Sequence, residues 1–140
     1  MLDINKQDMK YSRQGEKVTI YDRDENGEIK YIEMDGERIP VVLRETTGYS
    51  EPVLFSANIS NKLSEVLVKE FGIDDSSSYC QIVTDKGYLP IKAGDVIWKK
   101  LGVGRDDDGL VDNKTADYIV KGVADEGLTA DLFLLQKTVK

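Results

Sequence analysis

Histidine is absent from all 140 residues of the chain. That removes the commonest general base near neutral pH, the Ser-His and Cys-His nucleophile pairs and the usual zinc ligand sets. The single cysteine, Cys80, has no partner for an internal disulfide; among Tyr79, Ile82 and Val83 it reads as a buried, inert thiol. No apolar run approaches the roughly 20 residues that cross a bilayer. The opening Met-Leu-Asp-Ile-Asn-Lys lacks the charged, apolar and small-residue segments of a secretion signal, so a soluble protein of a reducing cytoplasm is expected. Basic residues are outnumbered, 19 against 26 acidic, for a net charge of −7. Such a surface repels nucleic acid, and tight DNA binding is not expected. Gly102-x-Gly104 lacks the third glycine of a dinucleotide loop, and no Gly-Lys-Ser/Thr occurs. With no nucleophile and base to pair, an enzyme is not expected, and no cofactor is implied.

What remains is a strand-rich chain of one-domain size, 15.7 kDa, able to bury a core without disulfides or metal. Its 40% hydrophobic and 32% charged residues suit a thin core with long solvated loops. Residues 1–15 are polar and read as a loosely held N-terminal arm. Residues 16–140 read as a single β-barrel-like domain with a long loop at 101–116. The stretches 17–22 and 28–34 are rich in β-branched and aromatic residues and flank Asn26-Gly27, which predicts a tight hairpin with positive φ at both turn residues. After Asp35-Gly36 comes 38–43, where Pro40 marks an edge strand. Residues 52–59 alternate strictly, with Val53, Phe55, Ala57 and Ile59 on one face. Residues 61–71 fit a short helix capped by Ser60 or Asn61, with a strand through Val66-Leu67-Val68 the alternative, and Gly72 ends the segment in either case. Further strands are expected at 79–84, 88–91, 95–100, 117–124 and 131–139. No internal repeat stands out. Without βα alternation, the fold class is all-β, or β with one short helix: a small antiparallel barrel or sandwich with long loops.

Two acidic clusters carry the candidate sites. Asp22, Asp24, Asn26, Gly27 and Glu33 match the spacing of a helix-flanked calcium loop. The flanks Val18-Thr19-Ile20-Tyr21 and Tyr31-Ile32-Glu33-Met34 are strand-like, however, so an acidic hairpin is expected and weak calcium binding by Asp22, Asp24, Asn26 and Glu33 is the alternative. Asp106, Asp107 and Asp108, with Asp112 nearby, repel one another unless neutralised; the run is a solvated loop tip or a docking surface. Lys30-Tyr31 and Trp98-Lys99-Lys100 could stack bases as in an oligonucleotide-binding barrel, but cross-strand pairing fits the acidic balance better, and Trp98 reads as core or interface.

Four segments, in order, carry a resemblance that covers the chain from about Tyr11 onward. They are Tyr21-Asp22-Arg23-Asp24-Glu25-Asn26-Gly27; Gly48-Tyr49-Ser50-Glu51-Pro52-Val53-Leu54-Phe55-Ser56-Ala57-Asn58-Ile59; Phe71-Gly72 before a polar loop and Tyr79; and Trp98 followed by Asp117-Tyr118-Ile119-Val120-Lys121. In these the chain resembles a family of short proteins encoded in the head-tail joining region of siphophages that infect low-GC Gram-positive bacteria. The resemblance implies a virion neck component of the head-completion, head-closure or stopper type, made in the host bacterial cytoplasm. It implies a small barrel with long loops that forms a ring of six-fold or twelve-fold symmetry. That ring would meet the portal or adaptor on one side and a tail terminator or tail tube protein on the other. DNA would pass through its opening without sequence-specific binding; an acidic wall lets DNA slide. Tyr49, Arg105, Asp106, Asp107, Asp108 and Asp112 are the loop residues expected at partner or subunit contacts, and the polar N-terminus and the 102–113 loop are candidates for ordering against neighbours. The 101–116 segment departs from the family by its length. A tail-completion or tail-terminator protein is the alternative within phage assembly, and an oligonucleotide-binding barrel module the alternative outside it.

Overall fold

The computed structural model describes residues 6–99, 102–127 and 129–138. Its strands are β1 (Gln7–Ser12), β2 (Glu16–Tyr21), β3 (Tyr31–Met34), β4 (Glu37–Pro40), β5 (Val42–Gly48), β6 (Val53–Ser60), β7 (Tyr79–Asp85), β8 (Val96–Trp98), β9 (Tyr118–Ala124) and β10 (Ala130–Lys137). The helix α1 (Glu65–Phe71) lies between β6 and β7. Six strands close a barrel in the order β1-β6-β7-β10-β9-β8, every neighbouring pair antiparallel. Closure removes the exposed edges that an open sheet of this size would present.

Period-two alternation explains the barrel. Met9 and Tyr11, Phe55 and Ala57, Cys80 and Ile82, Tyr118 and Val120, and Phe133 and Leu135 join Ile97 in one buried cluster. The Tyr11 and Phe55 rings meet at 5.7 Å between centroids, within the range of favourable aromatic pairs. Side chains fill the interior, as in other barrels of small strand number. The loose N-terminal arm expected over 1–15 is therefore corrected for 7–12. These residues form β1, because Met9 and Tyr11 fall two apart and both turn into the core. Residues 1–5 lie outside the described residues. The expected strand at 88–91 is also corrected: Leu89 and Ile91 are buried in the same cluster, but Pro90 between them offers no N–H to a ladder, and no strand forms there.

Two covers lie on the outside of the barrel. The 102–116 segment brings Val103, Val111 and Ala116 onto Val96, Trp98 and Ile119, and the Trp98 indole N–H donates to Thr115 Oγ1 at 3.1 Å. What reads in sequence as a long loop is a lid on an apolar wall. Helix α1 covers a second wall with Leu67 and Phe71 over Ala124, Leu132 and Leu134. Its cap is Ser64, whose side chain accepts the Leu67 N–H; Ser60 is still paired in β6, opposite Gln81. Gly72 ends the helix in the left-handed conformation at φ 64°.

Residues 16–48 do not belong to the barrel and form an arm outside it. β2 pairs with β5 and β3 with β4, in two separate two-stranded sheets. The chain leaves the barrel after β1, runs out along β2, folds back through the β3–β4 hairpin and returns along β5 to β6. The barrel expected over 16–140 therefore does not take in these strands. Every residue of β3 is exposed and none of β4 is buried, so neither strand has an inner face. Their turns differ as well. Asp35 and Gly36 have φ of 51° and 82°, as a two-residue hairpin turn requires. At 24–27 only Gly27 is at positive φ, 81°, and the expected Asn-Gly turn is replaced by a longer one closed by Gly27 N–H to Asp24 O and Asp24 N–H to Glu28 O.

Candidate interaction surface

Isoleucine, valine and tyrosine stabilise strands by packing on a pleated surface, yet the arm packs few of them. Tyr31, Ile32, Met34, Ile39, Val42 and Leu43 are all large, apolar and exposed, and they make up six of the ten such residues described. Ile32 stands directly opposite Ile39, and Met34, two residues on, shares their face. On the other face the Arg38 guanidinium lies over the Tyr31 ring at 4.3 Å, a cation–π contact that covers the aromatic. The hairpin thus has one shielded face and one bare apolar face. β3 and β4 each have one strand partner, so their outer edges are open to pairing; Pro40 removes one donor from the β4 edge.

The two acidic clusters turn out to be one local design used twice. In Arg23-Asp24-Glu25-Asn26-Gly27-Glu28-Ile29, Asp24 Oδ1 accepts the N–H groups of Asn26 and Glu28 at 2.9 and 3.0 Å. In Arg105-Asp106-Asp107-Asp108-Gly109-Leu110-Val111, Asp106 Oδ1 accepts those of Asp108 and Leu110 at 2.9 and 3.0 Å. Arg23 Nη1 donates to Gly27 O at 2.8 Å and Arg105 Nη1 to Gly109 O at 3.0 Å. Each turn is closed by a bridge, Arg23 to Ile29 and Arg105 to Val111. The signal in the sequence is the short repeat Arg-Asp-x-Asn/Asp-Gly. The acidic residues alone do not reveal it, because the arginine is what repeats with them.

The candidate partner residues mostly have intramolecular roles. Asp106 holds its own turn, Asp108 pairs with Arg44 of β5 at 3.7 Å, and Asp112 Oδ1 accepts the Lys114 N–H at 3.0 Å to cap the short 3-10 turn Asn113–Thr115. Asp107 is exposed. Arg105 forms a two-pronged pair with Glu51, Nη1 to Oε1 at 3.0 Å and Nη2 to Oε2 at 2.6 Å. That bond holds the Glu51 carboxyl below its usual range and raises the Arg105 guanidinium. Tyr49 packs against the Trp98 cluster and its hydroxyl donates to Gly94 O at 3.4 Å. Burial, then the charge of Asp95, pushes the Tyr49 phenol up. Arg23, Arg44 and Glu51 complete this arrangement and were not among the candidates.

The calcium candidates do not converge. Asp22 Oδ2 lies 3.6 Å from Lys30 Nζ, Asp24 Oδ1 is engaged by its own turn, and Glu33 stands on β3 opposite Arg38. Among the described residues no group of three or more His, Cys, Asp or Glu side chains is placed to hold a metal ion. Nor is any helix among them long and apolar enough to cross a membrane. No protein-family model matches the chain, and no curated protein or solved structure matches it.

Proposed function

We propose that the protein is a structural component of a phage head-tail connector and that its arm is the element that joins copies into a ring. The observation that carries this reading is the bare Ile32, Met34 and Ile39 face on an arm outside the barrel, an exposed apolar surface of the kind that marks protein contacts. The occupant is the next copy of the chain. Of the barrel's outer wall, the 102–116 lid and α1 cover two parts; the β1–β6 part carries Leu54, 62% exposed, with Lys10 opposite it in register. The hairpin places Glu37 on its apolar face, opposite Met34, with Asp35 at the adjoining turn, so apolar meets apolar and acid meets lysine. Two different surfaces of one chain that fit each other generate a head-to-tail ring when the rotation closes.

Of the four segments that carry the family resemblance, the first, Tyr21 to Gly27, lies in the arm at the end of β2; the others fall on or beside the barrel, Gly48 to Ile59 on the arm's return and β6, Phe71-Gly72 at the end of α1, and Trp98 on β8 with Tyr118 onward on β9. Because side chains fill the barrel, DNA passes through the opening of the assembled ring and not through a single chain. Deletion of the gene from the phage, with complementation by the normal chain, tests this reading. A connector role gives packaged heads that lose DNA. Tails of abnormal length would favour a tail-terminator role, and single-stranded DNA binding with a steep salt dependence would favour the oligonucleotide-binding barrel.

A further inference from the structure

The arm joins the barrel only through the crossings at 13–15 and 49–52. These are tied to each other by Ser50 N–H to Arg13 O at 2.9 Å, by Ser12 Oγ–H to Ser50 O at 2.5 Å and by Arg13 N–H to Ser50 Oγ at 2.9 Å. Such bonds hold the two strands together but do not fix the direction in which the pair leaves. Two-stranded ribbons twist readily and are marginal structures on their own. A direction requires a third support, and the second of the twin turns supplies it at three points. Arg44 of β5 pairs with Asp108 at 3.7 Å. Arg105 grips Glu51 at the arm's return. The Arg23 guanidinium, held by its own turn, lies on Gly109 so closely that a Cβ there would stand 2.5 Å from Nη2. Arg23 Nε is buried with no hydrogen-bond partner, while Nη1 to Gly27 O at 2.8 Å holds the guanidinium in place. A cleft lined by Glu16, Val18, Tyr49, Glu51, Leu110 and Val111 remains between arm and lid, leaving room for the arm to close further.

We infer that the twin Arg-Asp-x-x-Gly turns form an electrostatic latch that sets the arm's direction, and that opening the latch lets the arm swing about 13–15 and 49–52. The Arg44–Asp108 and Arg105–Glu51 pairs are well exposed. Exposed pairs are individually weak and are screened by salt, which makes the latch reversible without unfolding the barrel. A partner presenting its own carboxylate to Arg44 would open it in the same way. This inference goes beyond the connector reading and does not depend on it, since it concerns the free chain.

Spin labels at Val42→Cys on the arm and Lys62→Cys on the barrel measure it by pulsed electron-spin distance spectroscopy. Both positions are exposed, whereas Cys80 is buried and takes no label. The latch predicts a narrow distance distribution at low salt. It predicts a broader, shifted one in Asp108→Ala and in the unaltered sequence at 1 M salt, where the screening length falls to about 3 Å. The charge swap Arg44→Asp with Asp108→Arg restores the narrow distribution. Gly109→Ala and Gly87→Ala place alanine at nearly the same positive φ, 79° and 81°, but a Cβ at 109 meets Arg23 and one at 87 meets nothing within 4 Å; the latch predicts broadening in the first and not in the second. An unchanged distribution in both Asp108→Ala and 1 M salt would overturn the inference. So would a charge swap as broad as the single variant, or equal broadening by the two glycine replacements.

Discussion

Phe71 occupies the space where a side chain on residue 122 would be: a Cβ built on Gly122 falls under 3.0 Å from the phenyl ring. Strand β9 reaches this point through an irregularity, since Leu134 pairs with Gly122 and the next residue, Leu135, pairs with Val120. The local shift and the missing side chain let α1 sit flat on the wall formed by Ala124, Leu132 and Leu134. No arm residue takes part in this contact, so it tests the scaffold.

Gly122→Ala therefore destabilises the chain by about 1–3 kcal/mol, the usual cost of over-filling a packed contact. Urea unfolding followed by far-UV circular dichroism checks this. An unchanged midpoint would mean that α1 does not seat on β9 as described.

Asp95 is buried, and its carboxylate accepts two backbone N–H groups, that of Gln14 at 2.9 Å and that of Lys92 at 2.8 Å. It fastens the start of the arm to the barrel. Asp95→Ala leaves both donors unbonded and is expected to cost about 2–4 kcal/mol; Asp95→Asn keeps one acceptor oxygen and loses less. Equal midpoints for the two variants would contradict this account.

The Cys80 thiol is pushed up from 9.0 to about 11 by burial, and burial also raises the Tyr118 phenol beside it. Above pH 9 the unfolded chain loses the thiol proton that the folded chain keeps, so proton release favours unfolding and stability falls as pH rises toward 11. The melting temperature should drop across that window, less steeply in Cys80→Ala. The native thiol should react with a disulfide reagent only as fast as the chain opens. Rapid labelling of folded protein would show that the barrel interior is accessible.

Calcium should leave the protein unchanged. Asp24 is engaged by its own turn, Asp22 lies beside Lys30, and Glu33 is on a strand opposite Arg38. Melting temperatures in millimolar calcium and in chelator should coincide; a rise with calcium would show that the turn rearranges around the ion.

The barrel was legible in sequence wherever one face alternates between apolar and polar, as in β6 and β9, because burial on a single face writes that pattern. β1 was obscured because Asp8, Lys10 and Ser12 surround the two residues, Met9 and Tyr11, that bury it. The arm was misplaced for the opposite reason. Tyr31, Ile32, Met34 and Ile39 have strand-forming or apolar character but no core behind them, and composition does not separate an inner face from a face awaiting a partner. The twin turns were hidden by reading acidic residues as metal ligands or solvated charge. Their roles depend on Arg23, Arg44 and Arg105, and two of these come from segments far along the chain from the carboxylates or carbonyls they meet.

On the connector proposal, the arm joins copies of this chain into a ring at a head-tail junction. Electron cryomicroscopy of the virions that this proposal predicts will contain the chain, with and without Ile32→Glu and Met34→Glu, is the decisive test. Both residues are exposed and outside the core, so the barrel itself should fold normally. The account predicts a ring of barrel-sized density between portal and tail, each arm on its neighbour's β1–β6 wall, and loss of that ring with release of DNA in the double variant. Full heads joined to tails of normal length, with no such ring in either sample, would contradict it.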